Sequence, residues 1–204
     1  MTTSKPRKLI AALTTPVAVL AAGALIYQAS FAAFSGQTRN SGNEWSTGSI
    51  NLTDDDNGQA RFQVTNMLPE TTGSACVRVT ATASVPSSVK GYTINPVTSA
   101  QGLEDHIDVT IEGGQGGTFA DCTGFVRDTT DGLLVENTPL SSLFAVNSFD
   151  HTAALGGWTV ASGTATRTYR FTWKFDTAGL TQQQVDQLQG AKTGIDMQWE
   201  MRTN

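Results

Sequence analysis

The chain has 204 residues, with 13 basic and 18 acidic side chains and a formal charge of −5. It shows no basic patch, only the close pair Arg167 and Arg170, so it lacks the cationic face that displaces phosphate counterions, and nucleic acid is excluded as a partner. Two cysteines without CxxC spacing and two histidines match no common zinc pattern.

In chain order, Lys5, Arg7 and Lys8 form a basic start, Leu9 to Tyr27 is largely apolar, and Ala29-Ser30-Phe31-Ala32-Ala33 supplies small residues. This is the pattern of a signal peptide over residues 1–32, with cleavage expected between Ala32 and Ala33. The nineteen residues from Leu9 to Tyr27 also fall within the ~17 to 25 that span a bilayer, so a retained anchor is the competing reading. Thr14, Thr15, Pro16 and Gly23 dilute the run, and no basic stop-transfer cluster follows it. On either reading the rest of the chain lies outside the cytoplasm, because the positive charges precede the apolar segment. Any membrane contact runs through this segment before cleavage.

Residues 33–47 form an N-terminal extension without proline, with Phe34 and Trp45 as anchors in otherwise polar, glycine-containing sequence. It reads either as a disordered tail or as an extended segment able to pair with a sheet. Without Lys5, Arg7 and Lys8, residues 33–204 keep 10 basic against 18 acidic side chains, a charge of −8. Their 172 residues suffice for one domain with a real core, assigned to 48–204.

Period-2 hydrophobicity dominates that domain. Ile50 and Leu52, Phe62 and Val64, Val77 with Val79 and Ala81, and Ile107 with Val109 and Ile111 each read as a strand with one buried face. The clearest strands come late, at Tyr169, Phe171, Trp173 and Phe175, and at Ile195, Met197, Trp199 and Met201. Asp56-Asn57-Gly58, Gly113 to Gly117, Asp131-Gly132 and Gly156-Gly157 read as turns between them, Gly113 to Gly117 as a hairpin loop. Thr181 with Gln184 is a capping-box signature, followed by Val185, Leu188 and a terminating Gly190. Pro139 to Ala145 is a second, shorter helix candidate. The expected fold is all-β: an antiparallel β-sandwich of the immunoglobulin-like or jelly-roll kind with one or two short helices.

Cys76 and Cys122 both lie in the exported part. An even count in an oxidising compartment predicts a disulfide between them, stabilising by about 4 kcal/mol in the chain-entropy model. Asp54-Asp55-Asp56-Asn57-Gly58 has the carboxylates a calcium ion favours but not the alternate spacing or distant Glu of an EF-hand, so a turn between strands explains it better and calcium stays open. Leu68-Pro69-Glu70-Thr71-Thr72-Gly73 looks like a sortase sorting signal, yet Thr72 stands where that signal has Gly and the chain ends polar at Arg202-Thr203-Asn204. Attachment to a cell wall by that route is not expected.

Several of these segments carry a resemblance. Ala32-Ala33-Phe34-Ser35 after an apolar leader, Trp45-Ser46-Thr47-Gly48-Ser49-Ile50-Asn51-Leu52-Thr53-Asp54, Asn66-Met67-Leu68-Pro69, Cys76-Val77-Arg78-Val79-Thr80, Gly116-Gly117-Thr118-Phe119-Ala120-Asp121-Cys122 and Thr166-Arg167-Thr168-Tyr169-Arg170-Phe171 resemble the TasA and camelysin group of exported proteins, in its cysteine-containing actinobacterial form. The family usually has Pro-Gly where this chain has Pro69-Glu70. The resemblance implies processing by a SipW-type signal peptidase and a secreted subunit of biofilm-matrix or cell-surface fibres. In fibre-forming members the segment after the cleavage site completes a sheet of the next subunit, which places Phe34 and Trp45 on the donor strand.

The camelysin name also implies a metal-dependent peptidase. The chain has no HExxH, and His106 and His151 lie far apart, each beside an aspartate (Asp105, Asp150), as solvated surface pairs do. No GxSxG and no phosphate-type glycine loop is present. No catalytic, cofactor-binding or metal-binding residue is assigned and no enzyme is expected. The readings in order are a secreted fibre subunit assembling head to tail, a membrane-anchored surface binding module, and a metal-dependent peptidase.

Overall fold

The computed structural model describes residues 38–40, 43–45, 48–56 and 67–204, the first two runs as backbone. Ala32, Ala33 and Phe34, and the strand expected at Phe62 and Val64, lie outside the described residues. The chain divides into a unit ending at Gly48 and a unit over Ser49–Asn204.

In the first unit, β1 (Thr38–Asn40) and β2 (Asn43–Trp45) form an antiparallel hairpin that sets Thr38 opposite Trp45 and Asn40 opposite Asn43. Part of the expected donor segment is thus paired with itself.

The second unit is an antiparallel β-sandwich. Its larger sheet runs β3 (Ile50–Asp54), β4 (Thr72–Ala83), β10 (Gly163–Phe175) and β6 (Ile107–Gln115), with β7 (Val126–Arg127) and β8 (Leu133–Pro139) both pairing with β6. The smaller sheet is β11 (Gly194–Thr203), β5 (Ser87–Val97) and β9 (Leu155–Val160). Ser84-Val85-Pro86 carries the chain from one sheet to the other, and Ser84 and Ser49 are tied by hydrogen bonds from each backbone N–H.

Alternation decides which residues face inward. Val77, Val79 and Ala81 of β4 lie opposite Tyr169, Arg167 and Ala165 of β10, and Ile111 of β6 opposite Phe171. Val79, Ala81, Val89, Ile111 and Tyr169 are fully buried; each large aliphatic among them contributes roughly 1.5–3 kcal/mol by leaving water. Ile195, Met197, Trp199 and Met201 close the core from the smaller sheet.

Two glycine runs depart from the expected turns. Gly113 and Gly114 lie inside β6, and only Gly116 and Gly117, with φ of 75° and 67°, make the turn. A Cβ at Gly113 would sit 2.6 Å from Arg167 Nε, and one at Gly114 would sit 2.1 Å from the Val126 carbonyl oxygen. These glycines therefore admit a guanidinium and a neighbouring strand. Gly156 and Gly157 likewise belong to β9, where Gly156 packs against Leu134.

The helices match their signals. In α1 (Leu140–Leu143), Leu140 and Leu143 are buried. In α2 (Gln182–Gln187), Gln184 N–H donates to the Thr181 hydroxyl at 3.4 Å, while Thr181 N–H donates to Gln184 Oε1 at 2.8 Å. At Pro69-Glu70 a turn forms without glycine: Glu70 adopts φ 65°, Thr71 N–H donates to the Leu68 carbonyl at 3.0 Å, and Lys174 holds the Glu70 carboxylate at 2.6 Å.

Cys76 and Cys122 form a disulfide with Cα atoms 5.4 Å apart. It fastens the loop after β6 to β4. Asp55 braces the same loop, its carboxylate accepting from Arg78 N–H at 2.7 Å and Phe119 N–H at 2.8 Å, and Arg78 donates to the Gly117 carbonyl.

Candidate functional site

A sheet edge presents unpaired N–H and C=O groups, so each open edge is a place where another chain can add. On the larger sheet, β3 has five residues and ends in the acidic Asp54; on the other side, β7 has two and β8 has seven, ends in Pro139 and pairs with β6 through register shifts. On the smaller sheet, β9 has six residues, two of them glycine. Strand β11 differs. It has ten residues and, among the described residues, pairs only with β5.

The two faces of β11 have opposite chemistry. Outward, Tyr92 donates from its hydroxyl to Glu200 at 2.8 Å and accepts from Gln198 at 2.8 Å. Arg202 pairs with Glu200 at 2.6 Å and Asp150 at 2.8 Å and lies 4.3 Å over the Phe149 ring. The Arg202 guanidinium holds the Glu200 carboxyl below its ordinary range. Burial first, then the hydrogen bond to Glu200, raises the Tyr92 phenol. This face is polar and internally satisfied.

Inward, Ile195 and Met197 line one wall of an apolar cavity of about 190 Å³. The facing wall is Ile107, Val109 and Ile111 of β6 with Phe171 and Trp173 of β10, and α1 adds Leu140 and Leu143. Trp173 lies flat over β4 because its partner there is Gly73, where a Cβ would meet the indole at 2.6 Å. The edge of β11 left unpaired among the described residues and the cavity thus share one end of that strand.

The sequence-assigned residues sit elsewhere. The Cys76–Cys122 bridge is on the outer side of β4. His106 caps the 3₁₀ turn Leu103–Asp105 through its backbone, and the His151 ring accepts from Ala153 N–H at 3.1 Å. Among the described residues no three His, Cys, Asp or Glu side chains gather as a metal ion requires. At the acidic run, Asp54 ends β3 and Asp55 is the brace described above. Burial and the neighbouring Asp56 push the Asp54 carboxyl up to about 6. No described helix is long and apolar enough to cross a membrane.

Sequence reasoning placed Ile195, Met197 and Trp173 in the core but gave no sign of the edge or the cavity. Both depend on which strands neighbour each other. The chain matches no protein-family model, and no curated protein is significantly similar to it.

Proposed function

We propose that this protein is an exported structural subunit of extracellular fibres or matrix, assembling head to tail by strand addition, as its resemblance to the TasA and camelysin group implies. The observation that carries the reading is that β11, ten residues long, pairs only with β5 among the described residues and lies beside an apolar cavity. Main-chain groups along such an edge give affinity to an added strand, and pockets beside it select side chains. A contact of this kind does not close on itself, so it propagates. The Cys76–Cys122 disulfide fits an oxidising compartment, and the leader-like first 32 residues fit export.

The β1–β2 hairpin favours a second reading, a surface binding module held by a retained leader, because it uses the backbone of Trp45 within its own segment. Negative-stain microscopy of the processed protein, with and without Ala33 to Trp45, separates the two. A fibre subunit forms filaments that the deletion abolishes while leaving a folded monomer. Filaments that survive the deletion overturn donation by this end, and a processed protein that stays monomeric overturns the fibre reading.

A further inference from the structure

From the size and lining of the cavity between the sheets we infer that it is a binding site for one small, uncharged, apolar molecule on the scale of a monocyclic aromatic. The volume of about 190 Å³ is of the order that admits such a guest, since an engineered apolar cavity of about 150 Å³ takes up benzene. It is too small for the row of side chains that an added strand carries, so the inference does not rest on fibre assembly.

The lining fixes the chemistry of the guest. Among the described residues no charged side chain borders the cavity; the polar side chains there are Thr172 and Thr193, and Thr193 already donates its hydroxyl to the Val97 carbonyl at 2.8 Å. An anion, a cation or a sugar would enter without partners and lose its hydration. An apolar guest loses nothing polar and gains contact with Phe171, Trp173 and the aliphatic wall. Met67 and Met197 supply unbranched thioethers that adapt to guests of different shape.

The site is also held open before any guest arrives. Leu143 is fixed because the buried Thr93 hydroxyl donates to its carbonyl oxygen at 2.6 Å. This bond ties α1 to β5 while β6 and β10 form the opposite wall as paired strands. The walls from β6, β10 and α1 are therefore held by hydrogen bonds to the main chain, while Met67 borders the cavity from outside any helix or strand.

Toluene is the probe, titrated into the processed full-length protein carrying ¹³C-methyl methionine and isoleucine. Saturable shifts are expected at Met67, Met197 and Ile195, with Met201, buried outside the cavity, unmoved. Leu143→Phe and, at the partly exposed wall, Ile195→Phe each fill the space and should weaken binding by about tenfold or more. Absence of saturable shifts, or equal affinity in whichever filled variant folds, overturns the site. So does a peptide of residues 33–47 moving these methyls where toluene does not. Filament formation, read by microscopy on the same samples, reports separately on the assembly reading.

Discussion

Arg167 Nε occupies the space beside Gly113 that any other residue would need for its own Cβ, at 2.6 Å. The guanidinium is buried, paired with Asp128 at 3.1 Å and donating to the Gly156 carbonyl at 3.0 Å and the Asp131 carbonyl at 3.2 Å. It joins β10, β9 and the turn before β8 through one side chain. Gly113→Ala forces that cation off its partners and should destabilise the fold by about 1–3 kcal/mol, measured as a lower denaturant midpoint with unchanged slope.

The turn at Glu70 gives a paired test. Its φ of 65° is a conformation L residues avoid, at a cost of about 1–2 kcal/mol. Glu70→Gly relieves that strain and Glu70→Ala does not, while both lose the Lys174 contact. Glu70→Gly should therefore be the more stable variant by about 1 kcal/mol, read from the two unfolding curves.

Asp54 makes stability depend on pH in an unusual direction for a carboxyl. Its folded value of about 6 lies above the ordinary 3.8, so the folded chain binds its proton more tightly than the unfolded one. The contribution is fully present below about pH 4 and is lost as pH rises through about 6. Asp54→Asn keeps a neutral side chain throughout. Its Tm relative to the native protein should rise between pH 4 and pH 7, and a constant difference across that range would contradict the assignment.

Reduction of Cys76–Cys122 should add two hydrogens to the mass and lower stability by about 4 kcal/mol. Proteolysis should then begin in the loop around Gly117 to Phe125, which the bridge holds to β4. Free thiols in the natively folded protein would remove the basis of this expectation.

Strand β10 is legible from its residues alone because Tyr169, Phe171, Trp173 and Phe175 put large apolar groups at every second position. Strand β5 is not. Its inward row reads Val89, Gly91, Thr93: Gly91 leaves room for the Trp199 indole, 3.2 Å from where its Cβ would be, and Thr93 is buried to hold α1 by hydrogen bonds. Apolar alternation fails there because the partner, not the strand, supplies the bulk. Strand β9 hides for a related reason: Gly156 admits Leu134, 2.8 Å from where its Cβ would be, and takes φ 53° at a register shift against β5 without ending the strand. The capping box of α2 was readable because both partners lie within one turn. That β11 pairs with β5 alone among the described residues was not, since an edge is defined by the strands that fail to reach it.

Strand β4 takes its two neighbours from opposite directions along the chain: β3 just before it, and β10 long after it. A chain crossing a membrane N-terminus first would deliver β4 outside with only β3 beside it, and β10 would follow last but one among the strands. Cys122 emerges in the interval. The disulfide can therefore close while one side of β4 is still empty, pinning the Gly117 to Phe125 loop across the outer surface before the centre of the sheet exists. In a chain delivered this way oxidation would precede sheet closure, and the covalent bond would narrow the conformations β10 must search when it arrives, the slow non-local step in a fold of this topology.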